Sequence, residues 1–290
     1  VAKELEYIGE KITKSGGGVL CIADTNFGMY SSDMAVSQKL AELKEEINWP
    51  QAILLTTGKE KIDKVFETIE PLKDILVPSM AAQSMDLDTL NAIDRTNLAE
   101  KTYKKYADDA ASRDLALFAE LILSMPKETL ETYWTGVKKL ISMGVNKMVT
   151  YTLQLNYGTV YRVSSYLKEH EYVGKYRMIP NAYGMYDGDR VFDAEMVAVA
   201  NKYMSFAEYL EARKLAFYVE LVYNSDCFSE ILKFWRECGF NTDNYLEAIR
   251  TGFNSAPENI QKIIDSFVKD TELELFDTEE ELLAYFSNPE

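Results

Sequence analysis

The strongest constraint on this chain is an alternation of two periodicities over its first half. Short apolar runs, each about the length of a strand, alternate with longer stretches whose apolar residues recur at helical spacing. Residues 1–14 place Val1, Leu5, Ile8 and Ile12 on one helical face, and Ser15–Gly18 then breaks the helix. Val19–Ala23 is apolar throughout, as in a strand covered on both faces. A polar loop, Asp24–Ser32, comes next, and Asp33 is placed to N-cap a helix over 34–47. The cycle repeats with a strand at Ala52–Thr56, a helix at Lys59–Leu72, a strand starting at Ile75–Pro78, and helices at Leu87–Arg95 and 98–111. A strand at Leu115–Leu123, a turn and helix over Pro126–Gly144, and a strand at Lys147–Leu155 complete the series. Such an order predicts right-handed βαβ units and a parallel sheet or barrel.

Beyond about residue 160 the pattern changes. Residues 172–190, rich in Tyr, Gly and Asp, read as an irregular excursion, and helices are expected over 205–223, 226–238, 242–253, 257–269 and 278–286. The expected organisation is a partial barrel over 1–165 and, over 166–290, the excursion and a helical region packed on it.

Composition removes several function classes. The net charge of −16 lacks the basic footprint of a nucleic-acid binder. No run approaches the roughly 18 apolar residues of a membrane span, and residues 1–14 are charged and amphipathic, unlike a signal peptide. The chain begins with Val1, which points to a trimmed or processed polypeptide. Cys21, Cys227 and Cys238 are odd in number and widely spaced, which argues for a reducing compartment, the cytoplasm, over a disulfide framework. One histidine, His170, argues against a multi-histidine metal centre. The segment Asp24-Thr-Asn-Phe-Gly28 resembles the start of a calcium loop, but its twelfth position is Ala35 and not Glu.

In a barrel of parallel strands, chemistry sits on loops at the C-terminal strand ends. Four such loops carry polar groups: Asp24 and Asn26 after the first run; Gln83 and Ser84, with Arg95 at the end of the next helix; Glu120 within FAELIL, followed by Ser124–Thr129; and Asn156–Thr159 after the last run. Each has a structural alternative. Asp24 and Asn26 suit an Asx-turn, Gln83 and Ser84 a plain turn, and Arg95 a helix C-terminal cation. Glu120 suits an ion pair with Arg95 or Arg113. Cys21 reads as a small core residue, and His170, within KEHEY, as exposed.

Taken in order, the segments IADTNFGM, QSMDLDTLNAIDRTNL, ELILSMPKETLETY and YTLQLNYGT resemble the radical S-adenosylmethionine (SAM) superfamily, above all members that carry a cobalamin-binding domain upstream. VFDAEMVAVANKYMSFAEYLEAR also resembles the region C-terminal to the barrel in those proteins. The resemblance implies a partial TIM-like barrel and an iron–sulfur oxidoreductase or methyltransferase acting on a small molecule. It implies that Arg95, with Gln83 or Ser84, faces the SAM carboxylate or ribose, that Glu120 lies near the ribose or amino group, and that Asp24 and Asn26 line the cavity. Ser124 and Lys127 stand where the commoner Gly-Pro-Gly-Glu-Thr form has glycines, so a different turn is expected there, with Glu128 capping the next helix.

The family's C-x-x-x-C-x-x-C motif, which ligates a [4Fe–4S] cluster, is absent from this sequence. Residues 1–14 match the helix that comes after the cysteine loop, so the resemblance implies that the first strand, its cluster loop and any cobalamin domain lie upstream of Val1. A fragment of this kind would keep the SAM and substrate walls and be inactive alone. Two other readings remain: a cluster-free barrel acting as a binding module, and a non-radical lyase or aldolase using Glu120 or Lys59.

Overall fold

The structure, a computed structural model, describes residues 1–24, 26–58, 61–76, 78–95, 100–113 and 115–287. Its elements in chain order are α1 (Ala2–Ser15), β1 (Val19–Cys21), α2 (Ser31–Ile47), β2 (Ala52–Leu54), α3 (Ile62–Ile69), β3 (Ser79–Gln83), α4 (Leu87–Ala92), α5 (Glu100–Ser112), β4 (Phe118–Leu123), α6 (Leu130–Ser142), β5 (Lys147–Thr152) and α7 (Ser164–Glu169). After these come β6 (Val173–Tyr186), β7 (Asp189–Ala200), α8 (Phe206–Val219), α9 (Ser229–Glu237), α10 (Thr242–Gly252), α11 (Glu258–Leu273) and α12 (Glu279–Ser287). No helix among the described residues is long and apolar enough to cross a membrane.

Two compact units emerge. The first comprises Val1–Ala82, Asn97–Glu120 and Leu140–Val149; the second comprises Gln83–Thr96, Leu121–Lys139 and Thr150–Glu290. Strands β3, β4 and β5 contribute residues to both.

In the first unit, Gly16 takes a left-handed φ of 79° and closes α1, a conformation without steric penalty only for glycine. β1 pairs in parallel with β2, Leu20 opposite Ile53. Cys21 is exposed rather than in the core. Successive strand residues face opposite sides, and here Leu20 is the better covered, with Val19 and Cys21 exposed. Asp33 does not N-cap α2. It sits three residues past the cap position, Tyr30, buried, and accepts from the backbone N–H of Gly28 (2.9 Å) and Tyr30 (3.0 Å). Leu40, Val65, Phe66, Ile69 and Leu72 form the apolar interior, and the Phe66 and Tyr106 rings pack at 4.7 Å.

The sheet order β3-β4-β5, with helices in both crossovers, is that of parallel βαβ units. In β4, Ala119, Leu121 and Leu123 are buried while Phe118, Glu120 and Ile122 are half-buried.

The main departure from the sequence reading lies at 172–190, which is not irregular. β6 and β7 form a long antiparallel hairpin with Tyr186 opposite Asp189, and its two-residue turn is Asp187-Gly188, both at positive φ (51° and 95°). Asp-Gly is a strong tight-hairpin signal; the frequent Tyr and Gly on either side blurred the alternation that would have marked the strands. In the second unit this hairpin extends the end of β5: Ala198 N–H donates to Leu153 C=O and Leu155 N–H to Met196 C=O, both at 2.8 Å. On the other edge Tyr176 and Phe276 exchange two backbone bonds of 2.8 Å. Met125, Leu153, Leu155 and Ala198 are the buried centre of this arrangement.

Candidate functional site

Where β5 ends, the second unit has an open cavity of about 450 Å³ lined by Ile122, Tyr151–Gln154, Asn156, Thr159, Tyr161 and Arg177. Ile122 and Leu153 give it apolar walls, and the amides, hydroxyls and guanidinium add directional groups. Arg177 is held by Glu195 (Nε to Oε1, 2.7 Å) and by Glu274 (3.3 Å). Glu195 also accepts from the Gln154 amide, and Asn156 donates to Gln154 Oε1 at 3.1 Å. Two carboxylates thus hold the one guanidinium that lines the cavity.

The loop after β4 forms the neighbouring feature. Ser124 and Lys127 have φ of 65° and 67°. Both residues therefore take the left-handed conformation that glycine adopts without steric cost. We expect Lys127→Gly to stabilise the protein, because left-handed backbone costs an L-residue about 1–2 kcal/mol and the added freedom of the unfolded glycine returns part of that. A gain of about 0.5–1 kcal/mol in urea melts checks this; no gain would mean that the lysine side chain offsets its strain.

Glu128 does not cap α6. Thr129 and Thr132 do so reciprocally, Thr132 N–H donating to Thr129 Oγ1 (3.1 Å) and Thr129 N–H to Thr132 Oγ1 (2.9 Å). Glu128 is 2% exposed and accepts the Ser84 hydroxyl at 2.8 Å, while its Oε2 meets no hydrogen-bond partner among the described residues. Burial pushes its carboxyl up to about 8, opposed by the Ser84 bond and assisted by the nearby Asp86 charge. Sequence reasoning treated this glutamate only as a cap. The largely apolar flank at Leu121–Pro126, broken only by Ser124, was the available signal that the segment returns to the interior.

The six residues singled out from sequence fall into two groups. Gln83, Ser84 and Arg95 belong to the second unit, and Asp24, Asn26 and Glu120 to the first. Ser84 is buried against Glu128. Gln83 is half-buried with φ 64°. Arg95 is half-buried, and its charge acts on the phenol of Tyr161, a cavity-lining residue whose pKa burial raises. Glu120 accepts the Ser79 hydroxyl at 3.2 Å, whereas Arg113, one of its two anticipated ion-pair partners, pairs with Glu70 at 2.9 Å. Asp24 accepts Asn26 N–H at 2.8 Å, the Asx-turn anticipated as the structural alternative. Lys59 lies outside the described residues.

His170 is buried, not exposed, with Tyr166, Tyr172 and Tyr203 ring centroids 4.4–6.3 Å away. Cys21 belongs to the first unit and Cys227 and Cys238 to the second; all three are free and exposed. Among the described residues no group of three or more His, Cys, Asp or Glu side chains could hold a metal ion. The cysteines present therefore do not fit a [4Fe–4S] cluster, which needs three converging thiolates.

No family model matches the chain. It is 31% identical over 128 residues to the cobalamin-dependent radical SAM methyltransferase TokK of Streptomyces tokunonensis, a match covering 43% of the chain and 19% of TokK. It is 29% identical over 145 residues to the 2-(S-pantetheinyl)-carbapenam-3-carboxylate methyltransferase of Streptantibioticus cattleyicolor, covering 49% of the chain and 21% of that protein. The chain thus spans about one fifth of the length of these curated relatives. Among solved structures it is similar to the radical SAM methyltransferase TsrM of Kitasatospora setae, with a TM-score of 0.42 and 11% identity over 53% of this chain and 31% of that one. It is also similar to the radical SAM coproporphyrinogen III oxidase of Escherichia coli, with a TM-score of 0.42 and 13% identity over 76% of this chain and 46% of that one. The match to TokK, over nearly half of this chain, supports its kinship with the radical SAM superfamily.

Proposed function

We propose that this chain is part of a cobalamin-dependent radical SAM enzyme, a methyltransferase or oxidoreductase, and supplies barrel walls that contact SAM and a small-molecule substrate. The observation that carries the reading is the 31% identity to TokK, in a chain that also keeps four family-like segments in family order. Under this reading β1–β5 belong to a TIM-like barrel whose first strand, cluster-binding cysteines and cobalamin domain precede Val1 in a longer polypeptide of the cytoplasm. Arg95 would hold the SAM carboxylate, since its planar fork matches two oxygens. With it, Gln83 or Ser84 would face the carboxylate or the ribose, Glu120 would lie near the ribose or amino group, and Asp24 and Asn26 near SAM or substrate. Reductive SAM cleavage is the chemistry the cluster supplies in that family. The cysteines of this chain do not hold it, so the part assigned here is binding, orientation and exclusion of water.

The test is to express the natural open reading frame containing this sequence, anaerobically with iron and sulfide, beside this chain alone. We expect about four irons in the long form, as in one [4Fe–4S] cluster, and none in the short one. A long form with no iron and no upstream cysteine triplet would sink the reading and leave a cluster-free binding module in its place.

A further inference from the structure

The loops after β3 and β4 are joined inside the second unit by a polar link. Ser84 Oγ donates to Glu128 Oε1 at 2.8 Å and accepts Asp86 N–H at 3.2 Å. Asp86 in turn N-caps α4, accepting from Thr89 N–H (2.8 Å) and Thr89 Oγ1–H (3.0 Å). At the other end of that short helix Arg95 N–H donates to Leu90 C=O at 2.9 Å. α4 has only six residues, too few to hold itself without tertiary anchors. Glu128 and Ser84 are 2% and 1% exposed, so water cannot substitute freely for either partner.

We propose that Glu128 is a positioning residue: through Ser84 it anchors the start of α4 and so sets where Arg95 stands beside Tyr161 and the cavity. The assignment of Arg95 to the SAM carboxylate rests on the function proposed above; the anchoring of α4 does not. The groups facing Glu128 are Ser84 and Asp86 from the loop after β3, Tyr133 from α6, and Tyr172 ahead of β6. Of these Asp86 carries a negative charge, and the two buried phenols stay neutral, so none of the four compensates a charged Glu128. An ionised carboxylate would accept the Ser84 hydroxyl more strongly, so the cost of ionisation lies in the buried charge and not in the Ser84 bond, and it is the presence of the acceptor that sustains the link.

The test measures hydrogen exchange of the amides of residues 87–95 in the full chain, as protection relative to an unstructured peptide at the same pH, together with SAM binding by calorimetry. At both pH 6 and pH 8, Glu128→Ala, which removes the acceptor for Ser84, should show about tenfold or more less of this protection than the wild type, as a locally opened segment does. Glu128→Gln, which keeps an acceptor for Ser84, should hold protection at both values. Ser84→Ala, a small change that leaves the core intact, should lose it at both, and Glu128→Ala should bind SAM about tenfold more weakly. Unchanged α4 protection in Ser84→Ala and in Glu128→Ala would overturn the proposal. Loosened α4 with undiminished SAM affinity would refute the link to Arg95. A wild type that binds no SAM at all would count against the proposed function, while the exchange data would still decide the anchoring.

Discussion

Replacing Arg177 with methionine is expected to destabilise the protein by about 3–5 kcal/mol, because it strands a buried carboxylate. The Arg177 and Glu195 side chains are only 14% and 4% exposed, and their Nε–Oε1 contact is 2.7 Å. Two ions removed from water are tolerated only through their mutual attraction, and removing one leaves the full desolvation penalty on the other. Gln154 gives Glu195 a single neutral donor, which cannot offset that. Glu274 is the more exposed partner, and hydration covers its loss. Urea unfolding monitored by circular dichroism measures the effect. Arg177→Met combined with Glu195→Met should recover most of the loss, since an apolar pair of similar volume carries no ion desolvation. A single-variant loss below about 1 kcal/mol, the range of exposed pairs, would show that water in the cavity already screens the pair.

The second large effect is a pH dependence centred on Glu128. Its folded-state pKa, raised to about 8, lies above the ordinary carboxylate value of 4.5. Proton counting gives the sign. Below the unfolded value both states hold the proton and the contribution is fully present. Between 4.5 and 8 the unfolded chain has released it and the folded chain has not, so stability falls as pH rises, and above 8 the loss levels off. The span corresponds to an order-of-magnitude loss of roughly 4–5 kcal/mol by about pH 8. Glu128→Gln carries no such proton. It should match the wild type near pH 4.5 and exceed it by a few kcal/mol at about pH 8. Parallel pH–stability curves for the two proteins would show that Glu128 ionises normally in the folded state.

Local pattern made much of the scaffold legible. The apolar runs at Val19, Ala52, Phe118 and Lys147 each contain an observed strand, and the helices after residue 204 lie close to their expected positions. Helical and strand periods are properties of a few consecutive side chains, so they survive in a single sequence. The hairpin was missed because Gly174, Gly184 and the tyrosines around them break that local signal, although Asp187-Gly188 marked its turn. Cys21 and His170 were misplaced for a different reason. Whether a residue is covered depends on what packs over it, and one of the tyrosines around His170, Tyr203, lies in a distant stretch of chain.

The site divides along the same line. The residue types on the strand-end loops, Gln83, Arg95, Glu120 and the turn Ser124–Thr129, were set by sequence order alone, as was the βα alternation that carries them. Only the tertiary structure decided that Glu128 lies inside against Ser84, 44 residues away, and that Arg177 bridges Glu195 and the distant Glu274, 97 residues away. A hydrogen bond or ion pair between such positions leaves no periodic trace, because its energy depends on burial and on a partner that only the folded chain brings within reach.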